Sequence, residues 1–472
     1  MRWGDFPKWG HWLADWAAQY HAGLRDRPVR AQVKPGSTLA ALPDAPPDTA
    51  QPIEDVIADF ERIVMPGITH WQHPRFFAYF PSNASPAAVL ADQLVTVMAP
   101  QCMLWQTSPA ATEMETRMMD WLRQAIGLPG DFAGVIQDSA SSATLAAVLT
   151  MRERALDWDG NASGLAGQKP LRIYCSGEAH TSIDRAIWVA GIGQANLVRI
   201  PLAPGPMRGM DPAALDAAIR ADLEAGYLPA GVIACTGATG MGACDDVAAV
   251  CKVAQAHGLY THVDAAWAGS AMICPEYRDL WQGVEMADSV VFNPHKWLGT
   301  QFDLSAHFIR SPEALTRTLA IQPEYLKTHG ADGIINYSEW SVPLGRRFRA
   351  LKLWFLIRAY GLDGLRQMIR NHVAWSQALC ERLRATPDFE IVTDPILSLF
   401  TFRFVPPGHD PELATLDMIT RINDDGRIYL TQTRVDGTFV IRFQAGQFDC
   451  TADDIDTAYD VITEIADDIR KG

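Results

Sequence analysis

A lysine that could act as a nucleophile follows an apolar run in the second half of the chain. The sequence NPHKW places Asn293, Pro294, His295, Lys296 and Trp297 directly after SVVF. An amine at a strand end between proline and tryptophan is shielded from water, and desolvation lowers the pKa of a lysine and makes it nucleophilic. The same pattern fits a partly buried structural lysine that pairs with a carboxylate, so the pentapeptide alone leaves both interpretations open.

A carboxylate follows another apolar run. The segment HVDAAWAG contains it as Asp264, with Ala265 and Ala266 directly after it. This aspartate could cap the next helix, or it could keep a ring nitrogen protonated, because a nearby anion favours the cationic form. The small alanines would let a flat ring lie close to the backbone. Together, the two strand ends predict pyridoxal phosphate, which forms a Schiff base with lysine and pairs its pyridinium nitrogen with an acid.

The elements that must position these residues follow an alternating pattern from about residue 86. Helical stretches separate the apolar runs AGVIQD, LRIYCSG, NLVRIPL, AGVIACTG, LYTHVDAAW, SVVFNPHKW and SAHFIRS. Such alternation predicts a mostly parallel sheet with helices on both faces, and ligands bind such sheets at the carboxyl ends of the strands.

Different patterns flank this region. Two apolar-faced helices and a proline-rich linker precede it, and FEIVTDP, LFTFRFVP and TFVIRFQ predict strands of a small α+β domain after it. We therefore expect an N-terminal helical segment over 1–85, a large α/β domain over 86–365 and a small domain over 366–472. The N-terminal helices cannot form a core alone, so we expect them to pack on another domain or subunit.

Composition excludes several classes of protein. The 472 residues include 40 Lys+Arg and 55 Asp+Glu, a formal charge of −15, which disfavours nucleic acid and anionic membranes as partners. The chain has no apolar run of the ~18 residues that a membrane span needs and no secretory signal pattern, so we expect a cytoplasmic protein. Its 8 cysteines contain no C-x-x-C pair, which argues against a metal site or a disulfide framework.

Several motifs in one order resemble the group II pyridoxal-phosphate decarboxylases and, within them, the aromatic-L-amino-acid decarboxylases. The matching segments are HPRFFAYFPSN, SPAATEMETRMMDWL, GVIQDSASSATL, HVDAAWAGSAMICPE, NPHKWL and PLGRRFRALKLWF. The resemblance implies the aspartate aminotransferase fold type I with a seven-stranded, mostly parallel sheet. It also implies pyridoxal 5'-phosphate as cofactor and decarboxylation of tryptophan, 5-hydroxytryptophan, dopa, tyrosine or phenylalanine to the amine and CO2.

The resemblance further implies which residues form the site. The cofactor-binding positions are Ser139, Ala140, Ser141, His180, Thr239, Asp264, Ala266, Asn293, His295 and Lys296. The substrate-binding positions are Trp71, Tyr79, Phe80, Pro81, Ser82, Met103, His180 and Gly345. The catalytic positions are Lys296, Asp264, His180, which stacks on the pyridoxal ring, and Tyr325, a loop residue that protonates the substrate carbon after CO2 leaves.

Four positions need separate comment. Asp138 departs from the family, which often has glycine there, and an acid beside a phosphate costs energy unless it points away. Gly345 has no side chain and leaves room for a ring as large as indole. Family members are homodimers whose loop and first helices cross to the partner, so the resemblance implies that Met103, Tyr325 and Gly345 serve the neighbour's site.

Other functions fit the sequence less well. TGATGMG could form a dinucleotide-binding turn, but its glycine spacing is not G-x-G-x-x-G. Aromatic aldehyde synthases on this scaffold often carry phenylalanine at the loop position, so Tyr325 argues against that activity. The aromatic pocket disfavours glutamate or histidine decarboxylation, and the intact catalytic set disfavours a catalytically silent pyridoxal-phosphate-binding protein.

Overall fold

The computed structural model describes residues 1–321 and 333–471. Its α-helices are α1 (Phe6–Ala22), α2 (Ser37–Ala41), α3 (Ile53–Asp59), α4 (Pro86–Met98), α5 (Pro109–Ile126), α6 (Ala140–Ala155), α7 (Asp159–Ser163), α8 (Ser182–Val189), α9 (Pro212–Glu224), α10 (Val247–Ala256), α11 (Pro294–Trp297), α12 (Pro312–Leu319), α13 (Ala350–Arg384), α14 (Pro411–Asp425) and α15 (Ala452–Lys471). Its strands are β1 (Ala133–Gln137), β2 (Leu171–Ser176), β3 (Leu197–Ile200), β4 (Leu228–Cys235), β5 (Tyr260–Asp264), β6 (Ser289–Phe292), β7 (Ser305–Ile309), β8 (Phe389–Ile396), β9 (Leu399–Phe404), β10 (Thr431–Val435) and β11 (Thr438–Gln444).

The chain forms two compact units. The large unit comprises Ser82–Ala374 and Thr393–Leu399, and the small unit comprises Met1–Pro81, Trp375–Val392 and Phe400–Gly472. The domain boundaries predicted from the sequence, after residues 85 and 365, stay a prediction. No helix in the described ranges combines the length and the apolar character that crossing a bilayer requires. All eight cysteines are buried and have free thiols.

The large unit is built on a seven-stranded sheet with the order β1-β7-β6-β5-β4-β2-β3. Neighbours from β6 to β3 are parallel, whereas β7 runs antiparallel to both β6 and β1. Every residue of β5, β6 and β7 is buried, as expected for strands covered on both faces. The predicted seven-stranded, mostly parallel sheet is confirmed, and its strands coincide with the seven apolar runs.

The helices around this sheet begin where the sequence supplies caps. Four side chains accept a hydrogen bond from a first-turn N–H, which an α-helix otherwise leaves without an intrahelical partner; they are Ser85, Ser139, Asp211 and Asp246. Proline follows two of them at the first helical position, where its missing N–H costs nothing. These caps fix the residue at which each of the four helices begins.

The small unit contains the four-stranded sheet β10-β11-β9-β8. Aromatic side chains from this sheet and from the N-terminal region form its core, for example Phe77 stacked on Phe443 at 4.5 Å. Strands β8, β9 and β11 match the predicted runs. The sequence interpretation missed β10, because TQTRV is mostly polar and buries only its first and last residues.

Candidate active site

Lys296 lies in a short turn that the surrounding protein holds in place. Strand β6 ends at Phe292, and α11 begins two residues later. The Lys296 N–H donates to the Asn293 carbonyl at 2.9 Å, and the Asn83 amide donates to the Lys296 carbonyl at 2.9 Å. Lys296 is half-buried, whereas its neighbours in α11 are fully buried. The backbone is therefore fixed, whereas the side chain stays partly accessible.

Three aromatic side chains, Trp267, Trp297 and His372, form a ladder of contacts beside this turn. Trp297 is fully buried and stacks on Trp267 with ring centroids 5.0 Å apart and planes 12° apart. The Trp297 indole N–H also donates to His372 Nδ1 at 2.9 Å. Trp267 comes three residues after Asp264, so the stack joins the turn that carries the lysine to the turn that carries the aspartate.

Asp264 is the last residue of β5 and is 5% exposed. Its Oδ1 accepts the Ala266 N–H at 3.0 Å, and its carbonyl accepts the Thr236 N–H at 2.9 Å. The Ala265 N–H donates to Val291 of β6 at 2.9 Å. These bonds fix the carboxylate at the carboxyl end of the sheet.

His180 follows β2 and lies near both of these charged groups. Its Nδ1 accepts the Ser182 N–H at 3.1 Å, and its ring remains accessible. Desolvation by the surrounding protein lowers the pKa of His180. The charge of Asp264 opposes that shift, and the charge of Lys296 adds to it. His180 is thus close enough to Asp264 and Lys296 for both charges to act on its imidazole.

The turn between β1 and α6 offers donors to an anion. Ser139 caps α6 through the Ser142 N–H at 3.2 Å. The next two N–H groups, of Ala140 and Ser141, belong to the first turn of a 16-residue helix. Such groups, together with the positive end of the helix dipole, suit a phosphate. The structure therefore places the predicted residues 139–141 where a phosphate could be held.

His295 and Asn293 lie at the end of β6, beside the lysine. Burial lowers the pKa of His295 to about 3, and the charge of Lys296 acts in the same direction. The ring is therefore neutral, and because Nδ1 accepts the Leu304 N–H at 2.9 Å, its proton is on Nε2. Asn293 accepts a hydrogen bond from Ser305 at 2.5 Å. A neutral histidine can donate a hydrogen bond without adding charge.

Thr239 lies half-buried in the turn that follows β4. Gly237 opens this turn with φ +80°, and a Cβ there would come within 2.6 Å of the Ala268 Cβ, so close packing requires the glycine. The carboxylate of Asp245 fixes the turn by accepting the Met210 and Cys235 N–H groups, each at 2.6 Å. Thr239 is thus held at the same sheet edge as Asp264.

Asp138, the departure from the family pattern, has a hydrogen-bond donor and a positive charge nearby. Its Oδ1 accepts a hydrogen bond from Ser139 at 3.0 Å. Arg349 binds Asp303 through two bonds of 2.9 and 3.1 Å. Burial opposes charging of that guanidinium, but the bond to Asp303, its charge and the smaller effects of Asp138 and Glu115 raise the pKa of Arg349. The Arg349 guanidinium is therefore near enough to Asp138 to be affected by its charge, although its own hydrogen bonds go to Asp303.

The predicted substrate-binding residues of the small unit form an aromatic surface. Trp71 stacks on Tyr79 at 5.9 Å and 21°, and these side chains are 41% and 47% exposed. Phe80 is buried beside the Arg442 guanidinium, 5.3 Å from the ring centroid. Pro81 is also buried. Flat exposed rings of this kind suit an aromatic ligand.

In the large unit, Ser82 is half-buried and directly precedes Asn83, which binds the Lys296 carbonyl. Met103 is half-buried and Gly345 is exposed; they lie in two segments that are hydrogen-bonded to each other. Their service to a neighbour's site stays a prediction. Tyr325 lies outside the described residues.

The residues present fit pyridoxal phosphate. The α6 N-terminus and neutral His295 can hold the phosphate, Asp264 can pair with the ring nitrogen, the accessible His180 ring can stack, and the half-buried Lys296 amine can bond the aldehyde. Sequence reasoning missed the supporting residues Asn83, His372, Arg349 and Asp245. The first three lie far along the chain from the groups that they bind, and Asp245 reads as an ordinary loop acid.

Comparisons with known proteins agree with this geometry. The model of the pyridoxal-dependent decarboxylase conserved domain matches residues 35–405. Aromatic-L-amino-acid decarboxylase of Rattus norvegicus is 39% identical over 482 residues, which cover 99% of this chain and 98% of the relative. Phenylacetaldehyde synthase of Arabidopsis thaliana is 37% identical over 450 residues, which cover 93% and 91%.

The solved structures include a similar protein with bound cofactor. The crystal structure of Oryza sativa TDC with PLP and tryptamine superposes with a TM-score of 0.96 and 35% identity, covering 100% of this chain and 99% of that one. The predicted fold type I is thereby confirmed. The chain belongs to the pyridoxal-dependent decarboxylase family and is a carboxy-lyase that uses pyridoxal 5'-phosphate.

Proposed function

We propose that the protein decarboxylates aromatic L-amino acids to the corresponding arylalkylamines. The observation that carries this proposal is that Asp264 ends β5 and Lys296 follows β6, the neighbouring parallel strand, with the Asn293 N–H bonded to the Ala266 carbonyl at 2.8 Å. The exposed stack of Trp71 on Tyr79 supports an aromatic substrate, as do the aromatic compounds named for the relatives and for the rice complex.

Each proposed catalytic residue has one task. When bound, pyridoxal phosphate supplies a cationic ring that accepts the electron pair left as the carboxylate departs as CO2. Asp264 maintains that charge by holding the proton on the ring nitrogen, and His180 covers one face of the ring. Lys296 anchors the aldehyde until the substrate amine replaces it. Tyr325 then gives a proton to the substrate α-carbon.

The test is an assay of the purified holoenzyme with tryptophan, 5-hydroxytryptophan, dopa, tyrosine and phenylalanine, measuring CO2 and amine. We expect equal amounts of both from at least one substrate and none from Lys296→Ala. Lys252→Ala, which changes an exposed lysine on α10, is the matched control and should retain turnover. Full turnover by Lys296→Ala would refute the proposal, and bound cofactor without any turnover would favour the catalytically silent alternative.

The same assay separates the second candidate, an aromatic aldehyde synthase. The similarity to the Arabidopsis phenylacetaldehyde synthase favours it, whereas Tyr325 argues against it. Peroxide and ammonia in amounts equal to CO2 would identify a synthase. We expect amine instead, with aldehyde rising in the Tyr325→Phe variant.

We also infer a homodimer. On α4, Leu90, Leu94, Val97 and Met98 form one face and are 48–58% exposed, and such a contiguous apolar patch marks an interaction surface. Helix α1, which lies wholly in the described part of the chain, buries none of its residues. Light scattering should give twice the chain mass, and Leu94→Glu should reduce it. The cytoplasmic location stays a prediction.

A further inference from the structure

Glu115 and Arg346 form an ion pair inside the large unit. Their side chains are 4% and 3% exposed and 2.5 Å apart. Breaking such a pair is costly, yet replacing both partners with apolar residues is often neutral or stabilising, so a buried pair is weak evidence for stability. In this protein, the hydrogen bonds of the two side chains and of the Arg346 backbone identify the segments that the pair connects.

Both members of the pair bind one residue of β1. The Ile136 N–H donates to Glu115 Oε1 at 2.8 Å, and Arg346 Nη2 donates to the Ile136 carbonyl at 3.0 Å. Strand β1 ends at the next residue and leads into the turn that contains Ser139. The ion pair is therefore attached to the base of the proposed phosphate-binding turn.

The backbone of Arg346 binds a second segment. Its N–H donates to Gln101 Oε1 at 2.7 Å, and its carbonyl accepts the Cys102 N–H at 3.0 Å. Met103 and Gly345 each lie one residue beyond these bonds. A Cβ added to Gly345 would lie 3.4 Å from the Gln101 amide nitrogen, so the two segments are in ordinary van der Waals contact there.

We propose that Arg346, held by Glu115 and bonded to Ile136 of β1, is a positioning residue that fixes Met103 and Gly345 in place. Its position thereby determines how large a substrate ring the pocket accepts. The inference rests on the proposed function and on the family resemblance, which implies that Met103 and Gly345 line a pocket for an aromatic ring in the neighbour's site. Arg346 itself touches neither substrate nor cofactor in this proposal.

The test uses the double variant Glu115→Leu/Arg346→Met, which removes both charges and leaves neither one buried without a partner. A second variant, Arg346→Lys, keeps the charge but cannot reproduce the planar fork of donors. The matched control is Arg347→Met, because Arg347 is the next residue, is 45% exposed and pairs with Asp92 near the surface. For each holoenzyme, kcat/KM is measured with tryptophan and with phenylalanine, together with cofactor content and melting temperature.

We expect both Arg346 variants to bind cofactor and to lower the tryptophan-to-phenylalanine ratio of kcat/KM about tenfold, because a small displacement penalises the larger ring more. Arg347→Met should keep the parent ratio. A purely structural role would lower both values by one factor, so an unchanged ratio would overturn the inference, as would variants that do not fold at all. A parent enzyme inactive on all aromatic amino acids would overturn the proposed function and this inference with it.

Discussion

His307 should make the protein sensitive to mild acid. It lies in the centre of β7, fully buried, and among the described residues neither of its ring nitrogens has a hydrogen-bond partner. Its ring meets His262 edge-on at 5.8 Å, and burial lowers the pKa of His307 to about 3. The folded protein thus keeps a neutral imidazole that the unfolded chain would protonate.

The sign and size of the effect follow from proton linkage. An unfolded histidine titrates near pH 6.5, so between about 6.5 and 3 the unfolded state binds a proton that the folded state excludes. Stability is complete above that window and falls as the pH drops through it. At pH 5.5, one unit below the unfolded value, His307 alone should cost about 1 kcal/mol relative to pH 7.5.

The variant His307→Leu removes this contribution. We expect the variant to gain about 1 kcal/mol in free energy of unfolding over the parent when the pH is lowered from 7.5 to 5.5. The measurement is urea unfolding followed by tryptophan fluorescence. At pH 7.5 we expect little loss, because the variant also removes two unsatisfied polar atoms. His409→Leu, which replaces an exposed histidine, is the control. If the advantage of His307→Leu does not grow on acidification, burial does not keep His307 neutral and the reasoning fails.

Three further predictions concern the cofactor turns and use titration of the apoprotein with pyridoxal phosphate or thermal unfolding. Trp297→Phe loses the bond to His372, worth about 1 kcal/mol, and should weaken cofactor binding about fivefold; equal affinity would show that the ladder does not hold the turn. Asp138→Gly removes an acid beside the phosphate-binding turn and should tighten binding, and weaker binding would contradict this. Asp245→Asn replaces one of two acceptor oxygens and should lower stability by about 1–3 kcal/mol, and an unchanged melting temperature would contradict it.

The features that could be predicted from the sequence are those that a local pattern of residues determines. The seven apolar runs became the strands of the large sheet, and Asp264 and Lys296 could be assigned to strand ends because a run of buried residues stops there. The reversed direction of β7 could not be read in the same way, since SAHFI has the composition of a buried strand in either direction. Strand β10 was missed because an edge strand needs few apolar residues.

The contacts that support the site could not be predicted, because they join residues that are far apart in the sequence. Trp267 and Trp297 each read as one more apolar residue, and only the fold shows that the two rings stack. Arg346 stands in a matched motif, but its partner Glu115 lies 231 residues away. No local periodicity links such pairs, so a single chain does not reveal them.

The sheet order explains why residues distant in sequence meet at one site. The strands β6, β5, β4 and β2 are consecutive neighbours and carry, at or just after their carboxyl ends, Lys296, Asp264, Thr239 and His180. With strands ~4.8 Å apart, the four turns span roughly 15 Å of one sheet edge.

The antiparallel strand β7 completes this edge. Because β1 and β6 both run antiparallel to β7, they are parallel to each other, so the turn with Ser139 emerges at the same edge as Lys296. The reversal also brings the first residue of β7 to that edge instead of its last. This residue is Ser305, whose hydroxyl binds Asn293 at 2.5 Å. A wholly parallel sheet would place the other end of β7 there, and Asn293 would lose the partner that orients its amide.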